Sequence, residues 1–238
     1  MYTGIMEKSI VFEEIFEIEN RCLEKGCSFV VGVDEAGRGP LVGPVVAGAV
    51  MIRGVDKERL QEKAILEDFG EDIFDLIKDS KKLTPKRRDL VYDFILSNFY
   101  VGIGVCDHNT VDRVNILEAS FLAMKKAISD LKMKNKDVVS WGDEKIFLID
   151  GNKTIPNLSD NQEAFVGGDN LVKLISAASI VAKVHRDRMM EKMHEKYPQY
   201  GFDKHKGYGT KAHMEALEKF GPCEFHRKSF GPVKRLLG

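Results

Sequence analysis

Apolar and polar positions alternate along the chain in two periods. Phe29-Val30-Val31-Gly32-Val33 is a wholly apolar run that passes straight into Asp34-Glu35, and it predicts a buried strand. A turn dense in glycine and proline follows (Gly37, Gly39, Pro40, Gly43, Pro44), and Val45 to Ile52 reads as a second buried strand. Tyr100 to Cys106 and Lys145 to Asp150 are two further strand candidates, the last running into Gly151. Helical spacing falls between them. Thr84-Pro85 is an N-cap followed by proline at the first helical position, with Leu90, Val91, Phe94 and Ile95 facing inward and an end near Asn98. A second helix is expected from about Val111 to Leu131, with Leu117, Phe121, Met124 and Ile128 on its apolar face. A third runs from about Asn170 to Lys196 and stops before Pro198, and Thr210 caps a shorter one that ends at Phe220 before Gly221-Pro222. The alternation predicts an α/β architecture with a mixed central sheet.

Two stretches stand outside that alternation. Residues 1–27 read as an acidic helical extension with apolar positions at Ile10, Phe12, Ile15, Phe16 and Leu23. Residues 53–78 are charged and helically spaced (Leu60, Ala64, Leu66, Phe69, Ile73, Leu76, Ile77), and they read as an insertion.

Length and composition narrow the class. With 238 residues, 43% of them hydrophobic, the chain can bury a core of one moderate domain. No apolar run approaches the roughly 20 residues of a membrane span, and Met1 to Asn20 lacks the basic-then-apolar profile of a secretory signal. Cys22, Cys27, Cys106 and Cys223 are scattered without a CxxC pair or histidines at zinc spacing, which suits free thiols in a reducing compartment. The expectation is a soluble, cytoplasmic protein with no membrane partner, acting as a monomer.

Charge adds an asymmetry that the net value of -1 hides. From Asn170 onward there are 14 Lys and Arg against 7 Asp and Glu, which leaves 22 against 30 in the rest of the chain. A basic tract suits a phosphate backbone and an acidic remainder can hold cations, although clustered charge is also an ordinary property of solvated surface.

The candidate chemistry lies in carboxylates. Asp34 and Glu35 follow one strand and Asp150 ends another, so these acids are expected in one crevice at the strand ends, where ligands of open α/β sheets bind. Asp169 follows Gly167-Gly168 and precedes the long helix. Alone, Asp169 reads equally as an N-cap and Asp150-Gly151 as a turn. Asp34-Glu35, two adjacent charges after an apolar strand, resists that explanation. Four converging acids repel unless cations lie between them, and an oxygen-only donor set selects Mg²⁺ or Mn²⁺.

Beyond these acids, the chain resembles a known family over about Phe29 to Pro232. The blocks are Gly32-Val33-Asp34-Glu35-Ala36-Gly37-Arg38-Gly39-Pro40, Asp79-Ser80-Lys81-Lys82-Leu83, Leu148-Ile149-Asp150-Gly151, the run Ser176 to Asp187, His205-Lys206-Gly207-Tyr208-Gly209-Thr210 and His226-Arg227-Lys228-Ser229-Phe230. In this order they resemble the type 2 ribonucleases H, prokaryotic ribonuclease HII in particular. The resemblance implies a ribonuclease H-like fold, with a mixed five-stranded sheet flanked by helices and a helical C-terminal part. It divides the chain into the extension 1–27, a catalytic domain 28–200 and a substrate-binding segment 201–238.

The same resemblance places the family's metal-binding and catalytic acids on Asp34, Glu35, Asp150 and Asp169, its Gly-Arg-Gly segment on Gly37, Arg38 and Gly39, and its substrate-stacking tyrosine on Tyr208. Implied partners are RNA–DNA hybrids and duplex DNA carrying single ribonucleotides, with Mn²⁺ or Mg²⁺ as cofactor. Lys81 is the favoured phosphate contact, with Lys82, Lys183, Arg186 and Arg188 as further candidates; helical spacing also sets Lys183 near Asp187 for internal pairing. The chain departs from the family at Asn170-Leu171-Val172, where a Lys-Ser pair is common, and no C-terminal tail for docking a sliding clamp is expected after the last motif. A hybrid-binding module without catalysis would be expected to lack one of the acids, and all four are present.

Overall fold

The computed structural model describes residues 16–53, 73–77, 83–137, 140–141 and 144–238. Five strands form one sheet: β1 (Phe29–Ala36), β2 (Val45–Arg53), β3 (Tyr100–Cys106), β4 (Lys145–Asp150) and β5 (Asn161–Phe165), in the order β3-β2-β1-β4-β5. β2 is antiparallel to both β1 and β3, whereas β4 is parallel to β1 and β5 is parallel to β4. The sheet is therefore mixed, as expected. β5 was not legible as a strand because it lies at the sheet edge and reads Asn-Gln-Glu-Ala-Phe, with no apolar run to signal it.

Side-chain alternation assigns two cores to the two faces. Phe29, Val31 and Val33 of β1 join Ala47, Ala49 and Met51 of β2 beneath α5 (Ile116–Lys134). Val30 and Leu148 face the other way, with Val50 and Ile52, against α3 (Pro85–Asn98) and α7 (Lys173–Lys196). Val30, Val31 and Val33 are fully buried, which stabilises the fold by about 1.5–3 kcal/mol each. Gly32 and Gly48 let α7 lie against the sheet: a Cβ at Gly32 would overlap the backbone of Leu174, and one at Gly48 would come 2.5 Å from the Ala178 carbonyl oxygen.

Helix boundaries follow local chemistry, with two corrections. Thr84 caps α3 by accepting from the Arg87 N–H, as expected from Thr-Pro. The helix expected over 111–131 is two helices, α4 (His108–Val114) and α5, because Asn115 adopts φ 67° and its side chain accepts from the N–H groups of Leu117 and Glu118. The helix expected over 170–196 is likewise α6 (Gly168–Leu171) and then α7, separated by Val172 in extended conformation. Of the flanking stretches, the described parts are α1 (Glu17–Glu24) and α2 (Ile73–Leu76). The C-terminal part is helical, with α8 (Phe202–His205), α9 (Lys211–Phe220) and α10 (Gly231–Leu237). Among the described residues no helix is long and apolar enough to cross a membrane.

α1 reaches the core through one acid. Glu19 is buried, and its Oε1 accepts from the Leu174 N–H at 2.7 Å, so it sits on the open N-terminus of α7. Burial raises its pKa from 4.5 to about 7, against the lowering by hydrogen bonds from the backbone of Leu174 and Lys173 and by the Lys173 charge. The folded state thus keeps its proton to a higher pH than the unfolded chain. Stability from this group falls as pH rises between about 4.5 and 7, by about 3 kcal/mol when complete. Glu19→Gln retains the acceptor without the charge. It should raise the stability to urea at pH 8 and leave it unchanged at pH 4; an equal effect at both would show that Glu19 does not titrate in this window.

Candidate active site

Sheet register, not sequence proximity, assembles the acids. β1 and β4 are parallel neighbours with Val33 opposite Ile149, so Asp34 and Asp150, the next residue in each strand, lie side by side. Asp150 also pairs with Phe165 at the end of β5, and the chain returns through Gly167 in left-handed conformation to Asp169. Gly168 permits that return, since a Cβ there would meet Ile175 Cδ1 at 2.7 Å and Asp150 Oδ1 at 3.2 Å. Asp34, Glu35, Asp150 and Asp169 all line one cleft of about 870 Å³, together with Gly37, Arg38, Gly39 and Tyr208. Lys81 and Lys82 lie outside the described residues.

The cleft is electrostatically strained. Asp34 is buried, with Oδ1 accepting from the Glu35 N–H at 2.6 Å. Burial pushes its pKa well above the usual carboxylate range, and the charges of Glu35 and Asp150 push it the same way, opposed by the Ser179 hydroxyl. Burial also raises Glu35, against the opposing pull of Arg38, which donates to its Oε1 at 3.1 Å. Asp150 is raised by burial and by Asp169, and its buried Oδ1 has no hydrogen-bond partner. Two like charges ~4 Å apart repel by about 4 kcal/mol at an effective dielectric near 20.

A divalent cation fits this donor set. The acids offer oxygen only, one of them an orphaned buried oxygen, and a cation between them would reverse every one of the raised pKa values. Among the described residues no group of three or more His, Cys, Asp or Glu stands close enough together to hold a metal ion by itself. An open acidic cleft suits Mg²⁺ or Mn²⁺, which keep water and take phosphate oxygens from a substrate.

Around the acids, several of the candidate cations are paired within the fold, Lys183 with Asp187 as its helical spacing predicts. Lys183 pairs with Asp187 at 2.6 Å and Arg188 with Asp89 at 3.2 Å, so both are held in internal ion pairs. Lys196, Lys206 and Lys211 pair with Glu224, Glu191 and Glu215. Arg186 is no phosphate contact: it is 1% exposed and donates to the carbonyls of Pro44, Val42 and Lys206. The basic tract of the last 69 residues is thus partly consumed inside the fold. Arg38, on the cleft wall, is half exposed at 53%.

Three residues with no role assigned from sequence hold the loops that bear Gly37 to Gly39 and Tyr208. Arg227 is 0% exposed and donates to the carbonyls of Gly37, Arg38, Pro40 and Gly43. His213 donates from Nδ1 to the Tyr208 carbonyl at 2.8 Å. His226 accepts at Nδ1 from the Cys223 N–H and so donates from Nε2 to His213 Nε2 at 3.2 Å, a neutral pair in keeping with the lowering of both by burial. The block His226 to Phe230 is the sequence signal for His226 and Arg227, and His213 lies outside every motif of the chain. Tyr208 itself is 46% exposed, and its ring lies against Gly39, where an added Cβ would sit 3.4 Å from Cε1.

A mixed five-stranded sheet with an acidic cleft at the ends of its parallel strands defines a hydrolase of the ribonuclease H class. The chain belongs to the ribonuclease HII family, whose model, described as Ribonuclease HII, matches residues 31–233. The ribonuclease HII of Caldicellulosiruptor bescii is 46% identical over 226 residues, covering 94% of this chain and 96% of that one. Among solved structures, the ribonuclease H2 from Pyrococcus horikoshii OT3 is similar with a TM-score of 0.62 and 26% identity, over 87% of this chain and 96% of that one. A Bst RNase HIII solved in complex with Mn²⁺ shares the fold, with a TM-score of 0.66 and 18% identity over 91% of this chain and 71% of that one. Membership makes the chain a ribonuclease H, which cleaves the RNA strand of RNA–DNA hybrids.

Proposed function

We propose that the chain is a metal-dependent endonuclease that cuts hybrids and also incises duplex DNA 5′ of a single embedded ribonucleotide, leaving 5′-phosphate and 3′-hydroxyl ends. The observation that carries this reading is the joining of Asp34, Glu35, Asp150 and Asp169 with Gly37, Arg38, Gly39 and Tyr208 in one cleft. The acids would hold two divalent ions, Mg²⁺ or Mn²⁺. Such ions, when bound, activate water for in-line attack and stabilise the leaving 3′-oxygen.

The chain's own residues supply orientation and selectivity. Asp34 is buried and Asp150 stands beside it on the adjacent parallel strand, so the two would present fixed oxygens toward one phosphate. Arg38 pairs with Glu35 and keeps that carboxylate ionised against its burial. The 2′-hydroxyl is the group that separates RNA from DNA, and the backbone of Gly37, Arg38 and Gly39 lines the cleft beside the acids, where it would read that hydroxyl. Tyr208, exposed beside Gly39, would stack on the deoxyribose after the ribonucleotide and disfavour a 2′-hydroxyl there. An enzyme of this specificity serves removal of ribonucleotides from replicated or repaired DNA.

The test is cleavage of a duplex carrying one ribonucleotide, with an all-DNA duplex as control, in Mg²⁺ or Mn²⁺. Incision 5′ of the ribonucleotide and none of the control is the expected map. Tyr208→Ala should lower kcat/KM on this substrate by about 5- to 150-fold, the loss of ~1–3 kcal/mol of stacking, with duplex binding nearly unchanged. Equal cleavage by Tyr208→Ala and the natural protein would remove the tyrosine from junction reading.

A further inference from the structure

The segment between β1 and β2, residues 37–44, carries six backbone carbonyls bound by two buried guanidiniums. Arg227 takes those of Gly37, Arg38, Pro40 and Gly43 at 2.7–3.1 Å. Arg186 takes Pro44 at 3.0 Å from Nε and Val42 at 3.2 Å from Nη2, and its Nη1 donates to the Lys206 carbonyl at 3.0 Å. Lys206 stands two residues before Tyr208, in left-handed conformation at φ 48°. One guanidinium therefore joins the loop bearing Gly39 to the turn bearing Tyr208.

Neither arginine forms an ion pair among the described residues, and burial lowers the pKa of Arg186 to about 10 and of Arg227 to about 9. Burying a cation without a carboxylate is costly, and the planar fork repays part of that cost by meeting several carbonyls at fixed angles. With the carbonyls of Gly37 and Arg38 turned to Arg227, the N–H groups of the same two peptide units, those of Arg38 and Gly39, have no acceptor among the described residues, on the wall of the cleft. The bridge is supported by direct contacts: the Leu41 N–H donates to the Gly207 carbonyl at 2.9 Å, and Gly207, at φ +85°, packs against Val42.

We infer that Arg186 is a positioning residue for junction specificity: by bonding both segments it sets the distance between the Gly37–Gly39 backbone and the Tyr208 ring, and so the step between one ribose and the next deoxyribose that the cleft accepts. The inference rests on the junction reading proposed above. A lysine at 186 has a charge but no fork, so it cannot reach Pro44, Val42 and Lys206 together.

The experiment compares the full-length protein with Arg186→Lys and Tyr208→Ala on the single-ribonucleotide duplex and on an all-RNA hybrid, with thermal unfolding of each. Arg186→Lys should unfold cooperatively and lose tenfold or more of the ratio of kcat/KM on the junction to that on the hybrid, with hybrid kcat within threefold of the natural value. An unchanged ratio, whether both activities fall together or neither does, overturns the inference. Should Arg186→Lys not fold, Gly207→Ala carries the test. Its Cβ would come 2.5 Å from Val42 Cγ1 and 3.1 Å from the Val42 carbonyl oxygen that Arg186 holds, and so would wedge the turn from the loop with the guanidinium itself intact, and an unchanged ratio there overturns the inference too. Tyr208→Ala separates the two levels: if it leaves the ratio intact, the junction reading has failed; if it collapses the ratio and Arg186→Lys does not, only the bridging role has.

Discussion

Asp34→Asn and Asp150→Asn are expected to abolish hydrolysis while leaving hybrid binding largely intact. Asp34 is buried and Asp150 has a buried Oδ1, side by side on adjacent parallel strands in the acidic cleft, so each offers oxygens at a position set by the sheet. A loss of at least ~10³-fold in single-turnover cleavage, about 4 kcal/mol of transition-state stabilisation, follows if they hold the ions. Affinity for hybrid should change little, because phosphate contacts by lysine and arginine supply most of it. A second readout needs no catalysis. The raised pKa values of Asp34, Glu35 and Asp150 mean that their ionisation works against the fold at neutral pH. Asp150→Asn should therefore raise the unfolding midpoint in the presence of a chelator and lose the further rise that Mg²⁺ or Mn²⁺ gives the natural protein. Near-normal turnover by either variant, or the same metal-induced rise in Asp150→Asn, would sink the four-carboxylate site.

Gly37→Ala should be the most damaging single-methyl change in the recognition loop. Gly37 has φ +100°, where a side chain is strained, and a Cβ there would overlap the Arg186 guanidinium and approach the Pro44 carbonyl oxygen to 2.7 Å. The damage thus has its nearest cause inside the protein, before any contact with a ribose. The expected cost is about 2–4 kcal/mol of stability together with most of the activity on the single-ribonucleotide duplex, since the loop carbonyls and Arg186 must move. Gly39→Ala provides the contrast. Its Cβ would make only ordinary contact with Tyr208 at 3.4 Å, so its effect should fall on cleavage and not on unfolding. Comparable stability of the natural protein and Gly37→Ala in urea would mean that the loop is not clamped in solution as it is in the structure.

Where the sequence was legible, a local rule operated. The apolar runs of β1, β2 and β4 are buried strands, Thr84-Pro85 opens α3, and Thr210 caps α9 by accepting from the His213 N–H. Local reading failed where a backbone break or an edge decided the outcome. Asn115 splits a continuous helical pattern because its side chain caps better than it continues, and β5 pairs at an edge that needs no apolar run. Charge count misled for a similar reason: helical spacing shows the partner of Lys183, but Arg188 and Lys206 find theirs on segments that the sequence does not place beside them.

The sequence by itself determined the strand-bound acids, the class of fold and the family, because each rests on residue type and order along the chain. It could not determine what Arg186 and Arg227 do. Their partners in the β1–β2 segment are carbonyl oxygens 142 to 190 residues away, and the main chain of every residue presents the same carbonyl. Backbone acceptors leave no compositional trace, so only the tertiary structure decides which loop a buried guanidinium holds.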